Sequence, residues 1–289
     1  MGKHAYLVMA HNQLDLLKVL IQCLDYEEND IYIHLDKKWK NIDYNEIYSA
    51  ANKSKIVVIK ERVNVKWGTY SQIACEMCLL ENAVSEHYQY YHLMSGMDLP
   101  LKSQKEIHDF FDKKNGTEFV HFDSPKIDKE TYNRIAKYNF WIFKSSNYFE
   151  KILYYISMKL QSKIDLGKKY DVVFQKGANW FSVTDDLARY IVNNKDLIHQ
   201  IFRFSRCGDE MFLQTLVANS NFKNKVTEHN YCNNYATIQY CIDWKRGSPY
   251  VFRISDFELL INSGMCFARK FDANIDKDII NKIRDYVTK

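Results

Sequence analysis

Apolar residues along this chain recur in two rhythms, and they alternate. Residues 5–10 (Ala-Tyr-Leu-Val-Met-Ala) form a continuous apolar run of buried-strand type, and Leu16, Leu17, Leu20 and Leu24 then recur at helical spacing. The pattern predicts a strand followed by a helix from 14 to about 24. Residues 31–35 and 56–59 read as two further strands, and a helix from 71 to about 85 leads into a fourth strand at 90–94. Strands alternating with helices imply right-handed crossovers, so the expected class is α/β: a mostly parallel central sheet with helices on both faces. Later, Gly208 and Asp209 read as a helix start, with Phe212, Leu213, Leu216, Val217 and Ser220 on a face to be buried. That places Glu210 in a first turn, where the helix dipole keeps a carboxylate ionised and able to take a proton. The same position suits a plain dipole partner.

Ligands in such sheets sit at the carboxyl ends of the strands. The residues there are His11-Asn12-Gln13, Asp36-Lys37-Lys38, the segment from Lys66 through Trp67 and Gly68 to Tyr70, and Ser95-Gly96-Met97-Asp98-Leu99-Pro100. None is a Gly-x-Gly-x-x-Gly turn or a Gly-Lys-Ser/Thr loop, which argues against dinucleotide and P-loop phosphate binding. Asp36 is placed to bond a ribose hydroxyl or a base N–H, although a strand-end aspartate also simply starts a turn.

A chain of 289 residues with 46% hydrophobic residues supports a large core, and a single domain over 1–289 is the expected organisation. Two halves are expected within it, 1–125 and 126–289. Net charge is +4, from 40 Lys and Arg against 36 Asp and Glu, with no long polybasic run. That balance suits an anionic small molecule or an anionic membrane surface and argues against nucleic acid. Seven scattered cysteines read as reduced thiols, and Cys75 and Cys78 as core residues of an apolar helix, so no metal is assigned. The N-terminus lacks a signal-peptide layout and no run approaches 18 apolar residues, giving the expectation of a cytoplasmic chain. Residues 132–164 mix Tyr, Phe and Trp, including Phe140, Trp141, Phe143 and Phe149, with Lys and Arg, including Lys144. Such a stretch lies in a membrane interface at the inner membrane face, or lids the core.

Seven ordered segments carry a resemblance. They are Ile33-His-Leu-Asp-Lys-Lys38; Trp67-Gly68; His92-Leu-Met-Ser-Gly-Met-Asp-Leu-Pro-Leu101; Lys176-Gly-Ala-Asn-Trp-Phe-Ser182; Gly208-Asp-Glu-Met-Phe-Leu-Gln-Thr215; Ile242-Asp-Trp244 with Gly247-Ser-Pro249; and Phe267-Ala-Arg-Lys-Phe-Asp272. Together they resemble the family uniting the branching β-1,6-N-acetylglucosaminyltransferases and the peptide O-xylosyltransferases. The resemblance implies a GT-A type fold and inverting transfer of GlcNAc or xylose from a UDP-sugar to a glycan hydroxyl, without a divalent metal. It implies Glu210 as catalytic base. His11, Asp36, Trp67, Asp98, Arg269 and Lys270 are the expected donor residues, with Arg269 and Lys270 on the diphosphate. Asn179, Trp180 and Asp209 are the expected acceptor-side residues, with Trp180 equally a core anchor and Asp209 a helix cap. The one literal Asp-x-Asp, Asp276-Lys277-Asp278, reads as the opening turn of a C-terminal helix. The relatives' anchors and disulfides are missing from this reading, which points to a bacterial-type enzyme of surface or capsular polysaccharide synthesis with a glycan acceptor that can be lipid-linked. A non-catalytic glycan- or nucleotide-sugar-binding protein on the same scaffold is the alternative.

Overall fold

A computed structural model describes residues 2–139, 148–227, 231 and 235–289. The first half follows the predicted alternation: β1 (His4–Ala10), α1 (Leu14–Leu24), β2 (Asn29–Leu35), α2 (Tyr44–Tyr48), β3 (Lys55–Val58), α3 (Ser71–Ala83) and β4 (Tyr90–Ser95). There follow β5 (Asp98–Pro100), α4 (Gln104–Lys113), α5 (Lys129–Ala136), α6 (Tyr148–Leu160), α7 (Leu166–Tyr170), β6 (Ser182–Thr184), α8 (Asp185–Asn193), α9 (Lys195–Phe202) and α10 (Phe212–Ala218). β7 (Tyr240–Ile242), α11 (Phe257–Ile261), β8 (Phe267–Arg269) and α12 (Lys277–Val287) complete the order.

The central sheet runs β3-β2-β1-β4-β6, parallel except for β6, which lies antiparallel on β4. Side-chain alternation explains why both faces are covered. Tyr6, Val8 and Ala10 enter one core with Leu20 of α1, Phe111 of α4 and Ile283 of α12. Ala5 and Leu7 enter the other, with Leu80 of α3, Leu187 of α8 and Phe212 of α10. Each fully buried Val, Leu, Ile or Phe among them is worth about 1.5–3 kcal/mol of apolar transfer. The chain builds outward from β1 to β3 and then places β4 on the other side of β1, so strand order reverses between β1 and β4. In such sheets ligands bind at the carboxyl ends of the strands beside that reversal. Gly96 ties the two strand ends together: its N–H donates to the Met9 carbonyl at 2.8 Å, and a Cβ there would stand 3.0 Å from that of Ala10.

A second sheet, β5-β8-β7, was not foreseen; it pairs β5 antiparallel and β7 parallel to β8. Asp276 accepts from the backbone N–H groups of Asp278 and Ile279 and caps α12, so the Asp-x-Asp is the helix-opening turn its position suggested. One local prediction is corrected. Gly208–Glu210 is a separate 3-10 turn and α10 begins only at Phe212. Cys207 at φ 50° and Met211 at φ −138° interrupt helical geometry on either side of it. Phe212, Leu213, Leu216 and Val217 are buried as expected, while Ser220 lies beyond the helix and accepts from Phe222 N.

Candidate active site

A cationic cluster is built on the small sheet. Antiparallel register sets Asp98 opposite Arg269, and their side chains meet at 2.7 Å from Nη1 to Oδ1. Asp98 is fully buried; its Oδ2 also accepts from Ser95 N at 2.8 Å and from the Tyr240 hydroxyl at 3.3 Å. Burial raises the Asp98 pKa against the opposing pull of Arg269 and the Ser95 N–H. Asp98 thus acts on the site through Arg269, which it orients. The guanidinium lies over the Trp180 ring at 4.6 Å, and that ring stacks on Tyr240 at 6.0 Å between centroids. Trp180 is half-buried, with both partners engaging its ring.

His11 reports what else converges here. Desolvation lowers its pKa; Asp36 works against this, and Lys270, Arg269 and Lys38 reinforce it. Asp36 is buried at the end of β2, where Oδ1 accepts from Lys38 N at 2.7 Å and Oδ2 lies 3.4 Å from Lys38 Nζ. Its backbone N–H donates to the Ala10 carbonyl at 2.8 Å, tying the two strand ends together. His11, His34, Asp36, Lys38 and Trp67 line a cavity of about 270 Å³, with Trp67 65% exposed at its rim. His92, by contrast, is a scaffold residue of its motif: fully enclosed between Ser182 Oγ at 2.7 Å and His4 Nδ1 at 3.1 Å, it is held neutral by desolvation.

The carboxylate end is built from turns. Gly68, at φ 74°, uses a backbone conformation that favours glycine, and its carbonyl accepts from Cys207 N at 2.9 Å. Gln72 accepts from Gly68 N and donates to Asp209 Oδ2 at 2.7 Å, so the Trp67-Gly68 turn holds the Gly208–Glu210 turn. Asp209 therefore does not cap α10. Met211 occupies the cap position without a side-chain bond, and Asp209 is buried, its pKa pushed up to about 7 by desolvation and then by Glu210. Glu76 of α3, wholly buried, is pushed well above the carboxylate range by desolvation and then Asp209, with Asn179 opposing. Among the described residues, Asp209 Oδ1 and Asn179 Oδ1 have no hydrogen-bond partner, while Asn179 lies beside the Glu76 carboxyl and its hydrogen bonding opposes the rise there. Sequence reasoning missed Glu76, although an acid on a helix face otherwise made of Ile73, Met77 and Leu80 was a readable signal.

Glu210 is exposed over 41% of its side chain, with Oε2 3.7 Å from Lys176 Nζ. Lys176 also pairs with Asp123; desolvation works against its charge, but Asp123 and then Glu210 outweigh it and raise its pKa. The same three charges act on Tyr235, whose ring faces Trp244 at 6.5 Å. Tyr235, Asp243, Trp244 and Phe252 line a cavity of about 540 Å³. Asp123, Tyr235 and Gln72 were also missed; each acquires its role only through a fold contact.

One short segment joins the two ends. Gly177 N–H donates to the Glu210 carbonyl at 2.9 Å, and a Cβ at Gly177 would come within 1.8 Å of the His121 carbonyl oxygen. Ala178 N donates to His121 Nδ1 at 3.0 Å, and Gln214 Nε2 donates to the Ala178 carbonyl at 2.8 Å. Three residues on stands Trp180 beneath Arg269. The 177–180 segment, which includes Asn179, therefore touches the Glu210 turn through its backbone and the Arg269 guanidinium through the Trp180 ring.

Over 96% of this chain and 32% of theirs, the sequence is 22% identical to xylosyltransferase 2 of Rattus norvegicus. It is 21% identical to the xylosyltransferase of Ciona intestinalis over 96% of this chain and 33% of that protein. The chain spans about a third of the length of these curated relatives. Among solved structures, mouse xyloside xylosyltransferase 1 in its apo form aligns over 91% of this chain and 96% of its own, at 9% identity and a TM-score of 0.37. The pattern that defines the Core-2/I-Branching enzyme family matches residues 4–259, from β1 into α11, including Trp67-Gly68, the 176–182 segment and Glu210; Arg269 and Lys270 fall beyond it. The chain belongs to the Core-2/I-Branching enzyme family.

Proposed function

We propose that the chain is a glycosyltransferase that moves a sugar, xylose or N-acetylglucosamine, from UDP to a glycan hydroxyl with inversion and without a divalent metal. The observation that carries the reading is the 177–180 segment, bonded to Glu210 at one end and placing Trp180 under Arg269 at the other. Glu210 accepts the acceptor's hydroxyl proton as its oxygen forms the new bond to the anomeric carbon. The old glycosidic bond breaks on the opposite face, and its electron pair leaves with the diphosphate. Arg269 and Lys270 meet that growing charge, with Asp98 keeping the Arg269 fork in one orientation. Asp36 and His11 serve the nucleoside side, and the cavity at Tyr235 and Trp244 serves the acceptor. Surface polysaccharide synthesis is the setting we propose for this chemistry.

The test is a turnover assay with UDP-xylose, UDP-GlcNAc, UDP-galactose and UDP-glucose, with and without EDTA, reading product anomers by NMR. The reading expects EDTA-insensitive turnover with one donor and an inverted anomer. A retained anomer or loss of turnover in EDTA overturns it, and donor binding without turnover in the presence of varied glycan acceptors assigns the chain to the non-catalytic alternative.

A further inference from the structure

The aromatic-basic stretch at 132–164 divides into two parts once folded, with Phe140, Trp141, Phe143 and Lys144 outside the described residues. Its first part is structural. The Tyr132 hydroxyl donates to Asp165 at 2.7 Å, and Lys137 Nζ donates to the carbonyls of Gln161 at 2.7 Å and Ile164 at 2.5 Å. Gln161, buried, exchanges bonds with the Tyr138 backbone at 2.7 and 2.9 Å. These bonds fasten the C-terminal end of α6 and set which way the helix faces.

Leu153, Tyr154, Ser157 and Met158 point inward and are half-buried. The outward stripe is the more apolar one: Tyr148 is 78% exposed, Tyr155 69% and Leu160 80%, with Ile152 and Ile156 also exposed. Their spacing of four, seven, eight and twelve residues from Tyr148 puts them on one face. A surface helix normally turns that face inward. Two exposed lysines share it: at 3.6 residues per turn Lys159 falls between Tyr155 and Ile152, and Lys151 flanks Tyr155.

The lysines decide between occupants. A second copy packed face to face would set Lys151 and Lys159 against the same lysines, a like-charge interface. Lipid phosphates accept both ammonium groups, and the four-carbon stems let them reach the headgroups while the aromatic and aliphatic side chains enter the interface. We infer that the outward face of α6 docks on an anionic lipid surface. This goes beyond the glycosyl-transfer reading and stands independently of it.

Co-sedimentation with vesicles of phosphatidylcholine alone, and of phosphatidylcholine containing phosphatidylglycerol, tests it. Binding to the mixed vesicles is expected to be at least about tenfold tighter and to weaken as salt rises. Each lysine near such a surface contributes about a fivefold factor, so Lys151→Glu with Lys159→Glu should cut affinity about 25-fold or more. Tyr155→Ser with Leu160→Ser should abolish sedimentation while circular dichroism and thermal unfolding stay unchanged, because both side chains are exposed. Failure of the parent chain to sediment with anionic vesicles overturns the inference, as does undiminished binding of the lysine variant. A concentration-dependent dimer that the same substitutions dissolve, without vesicle binding, assigns the face to a second copy instead. Sugar transfer to a soluble acceptor should persist in all these variants, which separates failure here from failure of the glycosyl-transfer reading.

Discussion

The Arg269 cluster and the Glu210 turn are held in different ways. Arg269 stands on a strand, paired with a fully buried Asp98 whose other oxygen is also bonded, and lies on the Trp180 ring. Glu210 stands in a 3-10 turn, half-exposed, next to a buried Asp209 and a buried Asn179 that each keep one oxygen without a partner among the described residues. The cationic end is preorganised by satisfied bonds, the arrangement that stabilises developing charge without reorganisation. The carboxylate end has buried polar atoms left unpaired, a condition that costs stability. Under the proposed reaction the difference suits two tasks: a leaving group needs a fixed counter-charge, whereas a proton acceptor must change charge during the reaction.

Four substitutions sharpen or break this contrast. The largest effect is expected from Glu210→Gln, which keeps the shape of the carboxylate end but removes its basicity: turnover should fall about 10²–10⁴-fold while unfolding free energy moves by less than about 0.5 kcal/mol. Full activity in this variant would remove Glu210 from the chemistry. Asp98→Ala should behave in the opposite sense, costing about 3–5 kcal/mol in denaturant unfolding because it strands the Arg269 charge in a largely buried site; an unchanged midpoint and slope would show that the cationic end is not held by this pair.

Asp209 gives the carboxylate end a pH signature. Its folded pKa of about 7 lies above the unfolded value of about 3.9, so the folded state holds the proton more tightly. The stability this contributes is fully present below about pH 4 and is lost as pH rises through 7. Asp209→Asn should therefore reduce the parent's loss of stability between pH 5 and pH 8 by roughly 2–3 kcal/mol, and superimposable stability profiles for the two proteins would contradict the burial argument. Gly177→Ala is expected to cost about 1–3 kcal/mol of stability, because its Cβ meets the His121 carbonyl and pushes the segment away from Glu210. A crystal structure of this variant that keeps the Gly177 to Glu210 bond, with parental stability, would dissociate the two ends.

Local pattern carried much of the architecture. The apolar runs and helical spacing of residues 5–94 specified strands, helices and their parallel pairing, because side-chain period and crossover handedness act over short stretches. The turn chemistry of Asp276 was likewise readable, since a cap bonds residues two and three positions away. The start of α10 was misread: Gly-Asp-Glu suits a helix start by local propensity, but the fold bends the chain at Cys207 and Met211 to let Gly68 and Gly177 bond the turn between them.

The roles within the site were decided by contacts that local pattern does not encode. Asp98 and Arg269 are 171 positions apart and Gln72 and Asp209 are 137 apart, and which atoms meet follows from strand register and from how α3 packs under the turn. The sequence by itself determined the strand ends where chemistry could occur and the residue types available there. Only the tertiary structure decided that Asp98 serves Arg269, that Asp209 is buried rather than capping, and that Glu76 lies beneath it, because burial and long-range pairing set the charge state of a carboxylate and neither is a property of neighbouring residues.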